Sequence, residues 1–356
     1  MKRYRIDDSI MKISDEALSI MNQYEPGTIL IVTRSGILRH SLPVAILDKK
    51  ATVNQDLKTI SLFLKELNPY IFLTIKANES FILKEYHKDG TTVDSINFEK
   101  FSNILLPLPP VREQLHICSV VEGLFRLIDD LEASKQNLQD FIKQTKSKVL
   151  DLAIHGKLVP QDPTDEPASE LLKRINPDAK PCDTSHYKNI PSSWCVCTLK
   201  DVFEITMGSS PKGSSINTQK NGIEFHQGKI SFTDMHLQET NVYTDEPTKL
   251  AEPHSILLCV RAPVGIVNIT ERNVCIGRGL CALKPTVGVD YKFAFYTLQT
   301  HKANFDKQAT GTTFKAIGGD IIRNEKYVLP PYQEQIRIRE KIEYILQLLN
   351  AITAEL

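Results

Sequence analysis

The stretch LPLPPVREQLHI, residues 106–117, decides the architecture, because the chain writes it a second time as LPPYQEQIRI at residues 329–338. Working outward, Gly90-Thr91-Thr92 reappears as Gly311-Thr312-Thr313, and the register then holds without a gap. Asn103 falls on Asn324, Leu108-Pro109-Pro110 on Leu329-Pro330-Pro331, Glu113-Gln114 on Glu334-Gln335, and Ile117 on Ile338. Upstream, at a slightly different offset, Thr28-Ile29-Leu30 through Arg34 matches Ser255-Ile256-Leu257 through Arg261, and Ser14-Asp15-Glu16 matches Thr244-Asp245-Glu246. Two ordered blocks that end in one LPP-x-x-EQ element read as a tandem duplication. The repeat is too long for a solenoid, whose period is about 20–50 residues.

Each repeat is a globular part followed by a helix. In the globular parts, Ile29 to Thr33, Tyr70 to Ile75, Ser255 to Val260 and Val264 to Ile269 are short β-branched or aromatic runs between Gly, Pro and Asn clusters, and read as strands. After Pro109-Pro110 the apolar residues step by four and three: Ile117, Val121, Leu124, Ile128, Leu131, Leu138, Ile142, Val149 and Leu152. That heptad stripe is the pattern of a coiled-coil seam, and Gly156 offers its C-terminal stop. Ile338, Ile342, Ile345, Leu349, Ile352 and Leu356 repeat it after Pro330-Pro331, so the two helices are expected to pack antiparallel. The fold class expected is α/β: mixed α+β domains joined by two long antiparallel coiled-coil helices in a tandem repeat. The expected divisions are a first globular domain over 1–110, a helix over 111–156, a Pro-rich connector over 157–187, a second globular domain over 188–331 and a helix over 332–356. Within the connector, Asp165 is positioned to cap a short helix from Ala168 to Ile175.

The 356 residues carry 43 basic and 43 acidic side chains, which argues against a uniformly basic nucleic-acid binder. The balance is local, however: residues 188–330 hold 16 basic and 13 acidic groups. No apolar run is long enough to span a bilayer, MKRYRIDDSI lacks the apolar segment of a secretory signal, and the seven cysteines have no framework spacing. A cytoplasmic protein with reduced thiols is expected.

LPLPPVREQLHI, the helix behind it, LDLAIHGKLVPQDPTDEPASELLKRI (150–175), IPSSW (190–194) and the second LPPYQEQIRI together resemble the specificity subunit of type I restriction–modification systems, over essentially the whole chain. The resemblance implies two target recognition domains, each reading one half of a split, asymmetric sequence in double-stranded DNA. It implies a helical spacer that sets the half-site separation, and no catalytic centre. It further implies docking of two modification subunits, S-adenosylmethionine-dependent adenine N6-methyltransferases, and of restriction subunits that use ATP and Mg. The chain departs from the pattern in one respect. The first half has no counterpart of Trp194 to about Gln238, so its recognition domain is read as N-terminally truncated, with an incomplete core. The alternative is therefore a truncated or silent cassette that acts only as a coiled-coil scaffold.

DNA contacts are expected from residue chemistry. Arg and Lys neutralise phosphates or read guanine, and Ser, Thr and Gly-rich backbone take phosphates. These criteria select Ser209, Ser210 and Lys212 in a Gly/Pro loop, Arg261 after its strand, Arg278 between Gly277 and Gly279, and Thr312, Thr313 and Lys315. By repeat position the first-half equivalents are Arg34, Thr91 and Thr92. Asn68-Pro69-Tyr70 lacks the second proline of an adenine-methyltransferase motif and reads as a turn. Neither Cys195 and Cys197 nor Cys275 and Cys281 have zinc-site spacing, so no metal is expected and these thiols read as buried. A nucleotide-binding P-loop is absent from the sequence.

Overall fold

The apolar run Ile29–Val32 forms the centre of a four-stranded sheet. The structure, a computed structural model, describes residues 4–89, 93–182, 190–311 and 315–356. The chain divides into two units, Met1–Ser134 and Lys135–Leu356. In the first, β1 (Arg5–Ile6), β2 (Ile29–Val32), β3 (Val44–Leu47) and β4 (Leu57–Ile60) are ordered β1-β3-β2-β4. β2 is antiparallel to both of its neighbours, and β1 is parallel to β3. α1 (Asn68–Ala77) covers the sheet and α2 (Glu79–Tyr86) follows it.

Tyr70 to Ile75 is therefore helix rather than strand. The run is apolar almost all round because α1 is buried, and a short buried run carries no period that separates the two conformations. Nor is Asn68-Pro69-Tyr70 a free turn. It is the first turn of α1, where Pro69 needs no N–H partner and Asn68 Nδ2 donates to Gly27 O at 2.5 Å. The long helix α3 (Val111–Ile154) begins in this unit, and from Lys135 onward it belongs to the second.

The second unit adds α4 (Ala168–Ile175), then β5 (Cys195–Thr198), β6 (Phe203–Met207), β7 (Ser255–Cys259), β8 (Val267–Thr270) and β9 (Leu280–Pro285). It continues with α5 (Tyr291–Thr300), α6 (Lys302–Gln308), β10 (Lys326–Leu329) and α7 (Tyr332–Ala354). Its main sheet runs β6-β9-β7-β8, all antiparallel, and β10 pairs separately with β5. The short strands Ile216–Asn217, Tyr243–Thr244, Ile223–His226, Val274–Ile276 and Leu250–Ala251 form a further sheet in that order.

The duplication is present bond by bond. Ile29 sits opposite Ile46 and Ile60, and Ile256 sits opposite Ile269 and Leu283. Tyr24 pairs with Ala51, and Ala251 with Val274. Arg5 bridges in parallel to Ile46, as His236 does to Ile269. The match begins there, so β5 and β6 have no counterpart among the described residues of the first unit.

Within the second unit α3 and α7 run antiparallel. Lys135 Nζ donates to the Leu356 carbonyl, Lys146 Nζ donates to Asn350 Oδ1 at 2.7 Å, and Val149, Ala153, Ile338 and Ile342 share one core. Of the stripe residues, Ile142 is buried, Leu138, Leu124, Ile128, Leu131 and Ile352 are exposed, and Ile117, Val121, Ile345 and Leu349 are half-buried. The helix stops at Gly156, whose φ is +65°; a Cβ there would lie 2.3 Å from Pro191. α4 has the expected range, but Pro167 is its N-cap residue. Asp165 is drawn away by a stronger partner, the Arg337 guanidinium, with Nη2 at 2.5 Å and Nη1 at 3.3 Å. All seven cysteines are free. Among the described residues no helix is long and apolar enough to cross a membrane.

Candidate nucleic-acid interface

At the C-terminal end of β7 the backbone is pinned on both sides. Val260 N donates to Gly279 O at 2.9 Å, Ile317 N to Val260 O at 3.0 Å, and Ala262 N to Lys315 O at 3.1 Å. Arg261 bridges Ala316, and the next peptide, Ala262–Pro263, is cis. Glycines then let further loops close on this end. Gly208 N donates to Leu280 O and Ser209 N to Ile276 O, and a Cβ on Gly208 would lie 2.2 Å from Gly277 O. Gly277 N donates to His226 O, and a Cβ on Gly279 would lie 2.2 Å from Gln227 O. The sequence requires glycine here because backbone passes against backbone.

This interlocking brings Ser209, Arg261, Arg278 and Lys315 onto one end of the sheet, with Lys212 at the start of a 3₁₀ turn held by Ser215 N to Lys212 O at 3.1 Å. The Ser209 carbonyl accepts from Thr248 Oγ1, and the Ser210 hydroxyl is buried without a partner among the described residues. Thr312, Thr313, Thr91 and Thr92 lie outside the described residues. Sequence reasoning missed Gln227 and Lys229, which stand on the loop facing Arg261. The signal was available: Gln227-Gly228-Lys229 sets polar residues about a glycine, as Gly277-Arg278-Gly279 sets an arginine between two.

Ion pairing separates Arg261 and Arg278 from the other arginines of the unit. Arg174, Arg272, Arg323, Arg337 and Arg339 all hold carboxylates. Arg261, Arg278, Lys212 and Lys229 are exposed and form no ion pair among the described residues. Lys315 meets Asp306 at 3.6 Å, but both side chains are half exposed, so water and salt screen the pair.

The first unit builds the same loop end with different side chains. Thr33 N donates to Asp56 O at 2.8 Å, Ile96 N to Thr33 O at 2.8 Å, and Ser35 N to Asp94 O at 3.0 Å, and Arg34 bridges Ser95. Arg34 is exposed and unpaired among the described residues, like Arg261. Asp56, however, stands where the second unit has Gly279, and Asp94 where it has Lys315. Asp94 is buried and accepts from Arg39 Nε at 2.6 Å. His87, Asp89 and Asp94 bring possible ligand atoms within 4.8 Å of one another, but the Arg39 guanidinium already occupies Asp94 and opposes a cation there.

The family model for the type I restriction modification DNA specificity domain matches residues 11–139 and 191–356. The chain belongs to that family. Among its relatives, the putative type I restriction enzyme MjaX specificity subunit of Methanocaldococcus jannaschii is 31% identical over 290 residues, 80% of this chain and 63% of the relative. The MjaVIII specificity subunit of the same organism is 26% identical over 297 residues, 79% of this chain and 64% of the relative. The chain thus spans a little under two thirds of the length of these relatives. The crystal structure of the HsdS subunit from Thermoanaerobacter tengcongensis shares the fold, with a TM-score of 0.60 at 24% identity over 93% of this chain and 76% of that one. The expected fold class, mixed domains joined by long helices, is that of this family.

The LPP-x-x-EQ element holds the second unit together. Trp194 Nε1 donates to Glu334 Oε2 at 2.8 Å and Gln161 Nε2 to Oε1 at 2.5 Å. Gln335 takes Asp290 N at 2.9 Å and donates to Pro330 O at 3.0 Å. Burial raises the Glu334 pKa, and the bonds from Trp194 and Gln161 only partly offset this. Burial also pushes the Cys195 thiol up to about 12 and Cys259 to about 11, so both stay protonated and unreactive near neutral pH.

Proposed function

We propose that this chain is a non-catalytic specificity subunit that binds double-stranded DNA and directs a type I methyltransferase and nuclease to a split target. One observation carries the reading: unpaired cations converge on glycine-interlocked loops at one end of the β7 sheet, in a chain of the DNA specificity family. Phosphate contacts from such residues fix register, and side chains at the same rim read base edges. The relatives' names as type I restriction enzyme specificity subunits support assembly into a type I restriction enzyme; in this reading two methyltransferase subunits dock on α3 and α7, and restriction subunits join them. S-adenosylmethionine, ATP and Mg then act in those partners, and the complex works in the cytoplasm. Two recognition modules on one helical spacer make the second contact effectively intramolecular, and the spacing itself becomes part of the specificity.

A second reading, a scaffold that no longer directs methylation, is favoured by Asp56 and Asp94 at the first unit's loop end. One experiment separates the two: long-read mapping of N6-methyladenine in a methylation-free host that expresses the methyltransferase subunit with and without this chain. A new split motif that depends on the chain is the expected result. Soluble complex without any new motif would support the scaffold.

A further inference from the structure

Facing Arg261 across the end of β7 is a cleft of about 160 Å³, walled by Gln227, Gly228, Lys229, Arg261, Ala262 and Gly279. Small-molecule sites usually exceed about 300 Å³, so the cleft is too small for an extruded nucleotide but has room for a tetrahedral phosphate group. We infer that it seats a single DNA phosphodiester between Lys229 and Arg261, and that the described residues build this seat in the second unit alone. The inference rests on the DNA-binding reading above.

The two cations reach the cleft from independently fixed loops. Arg261 follows β7, held by the bonds of Val260 and Ala262, and Lys229 opens a short turn closed by Phe232 N to Lys229 O at 2.9 Å. Neither is committed to a carboxylate among the described residues, so their charge is available to an external anion. At the base lies Cys259, 2% exposed and neutral, which offers no repulsion to an anion. Gly228 leaves the main chain open, since a Cβ there would meet nothing within 4 Å, and Gly279 lets the two loops touch.

The first unit supplies an internal control. It has Arg34 in the place of Arg261, but the 226–229 loop precedes the point where the repeats come into register. Asp56 replaces Gly279, adding an acidic residue to this loop end.

The test is the salt dependence of duplex binding by the full chain, followed by fluorescence anisotropy on a labelled duplex. Each phosphate neutralised contributes about 0.9 to the slope of log affinity against log salt. The Lys229→Gln/Arg261→Gln double variant should lower the slope by about 0.9, and either single variant by less, because the remaining cation still meets the same phosphate. Arg34→Gln should leave it unchanged. A double variant that loses about twice as much would overturn the shared seat, and an unchanged slope in every variant would remove the phosphate contact. An Arg34→Gln loss equal to that of Arg261→Gln would overturn its restriction to the second unit. If the unaltered chain bound no duplex at any salt, the DNA-binding reading itself would fall, and the seat with it. All three side chains are exposed, so a matching melting temperature separates these effects from misfolding.

Discussion

The two units share a backbone and differ in what covers it. The second unit lays β5 along β10, β6 along β9, and Trp194 on Glu334. In the first, Leu105 and Leu108 stand exposed where β10 would be, and Glu113, the counterpart of Glu334, is also exposed. Gln114 keeps half of its counterpart's role, donating to Pro109 O at 2.7 Å, while its Oε1 is buried without a partner among the described residues. The same LPP-x-x-EQ element is thus a cross-brace in one unit and a helix start in the other. A short motif does the work its surroundings permit.

The largest effect expected from that difference is at Trp194. Trp194→Ala should destabilise the second unit by about 3–5 kcal/mol through a cavity and a lost donor to Glu334. Segment-resolved hydrogen exchange should show β5 and β10 losing protection while β2 and β3 keep theirs. Equal loss in both units would break the comparison.

Exchanging the loop residues comes next. Gly279→Asp installs the first unit's residue against the Gln227 carbonyl and should cost about 1–3 kcal/mol by overpacking, with at least a tenfold loss of duplex affinity. The reverse change, Asp56→Gly, should do neither. Denaturant melts and anisotropy on both variants would show whether the shared backbone tolerates either side chain.

At Glu334, removing the carboxylate leaves the buried Trp194 donor without its partner and takes the shorter of the two bonds that Gln161 Nε2 donates, so Glu334→Ala should cost about 1–3 kcal/mol. Glu113→Ala, at an exposed site, should stay within about 0.5 kcal/mol. Thermal melts of the two variants would sharpen the contrast, and equal shifts would dissolve it.

The smallest effect is a pH dependence. Burial opposes ionisation of Glu325, but bonds from His301, Asn304 and Gln308 outweigh it and hold its pKa below the usual value. A depressed carboxyl contributes stability above its unfolded pKa, and that stability is lost as pH falls through the folded value. The second unit should therefore weaken below about pH 4.5, and Glu325→Gln should flatten that slope. The first unit has Ile104 at this position and should lack this contribution. An acid titration of exchange rates in each unit would check the sign.

Several of these features are legible in the order of the residues alone. The duplication follows from ordered identities, and the helices from a heptad stripe behind Pro-Pro, since both signals are local and periodic. Tyr70 to Ile75 could not be assigned, because burial on all sides erases the period. Asp165 is a plausible cap by its position, but Arg337, far along the chain, is the better partner. Residue chemistry alone proposed Arg261, Arg278 and Lys315, but not Gln227 and Lys229, which line the same cleft as Arg261. What makes those two neighbours of Arg261 is the close pass of Gly279 beneath Gln227, a contact between distant segments with no trace in local pattern. Sequence by itself determined that there are two copies of one domain and which residue types could meet DNA. Only tertiary structure decided which copy brings its cations together, because charge placement depends on backbone approaches that glycine permits and aspartate forbids.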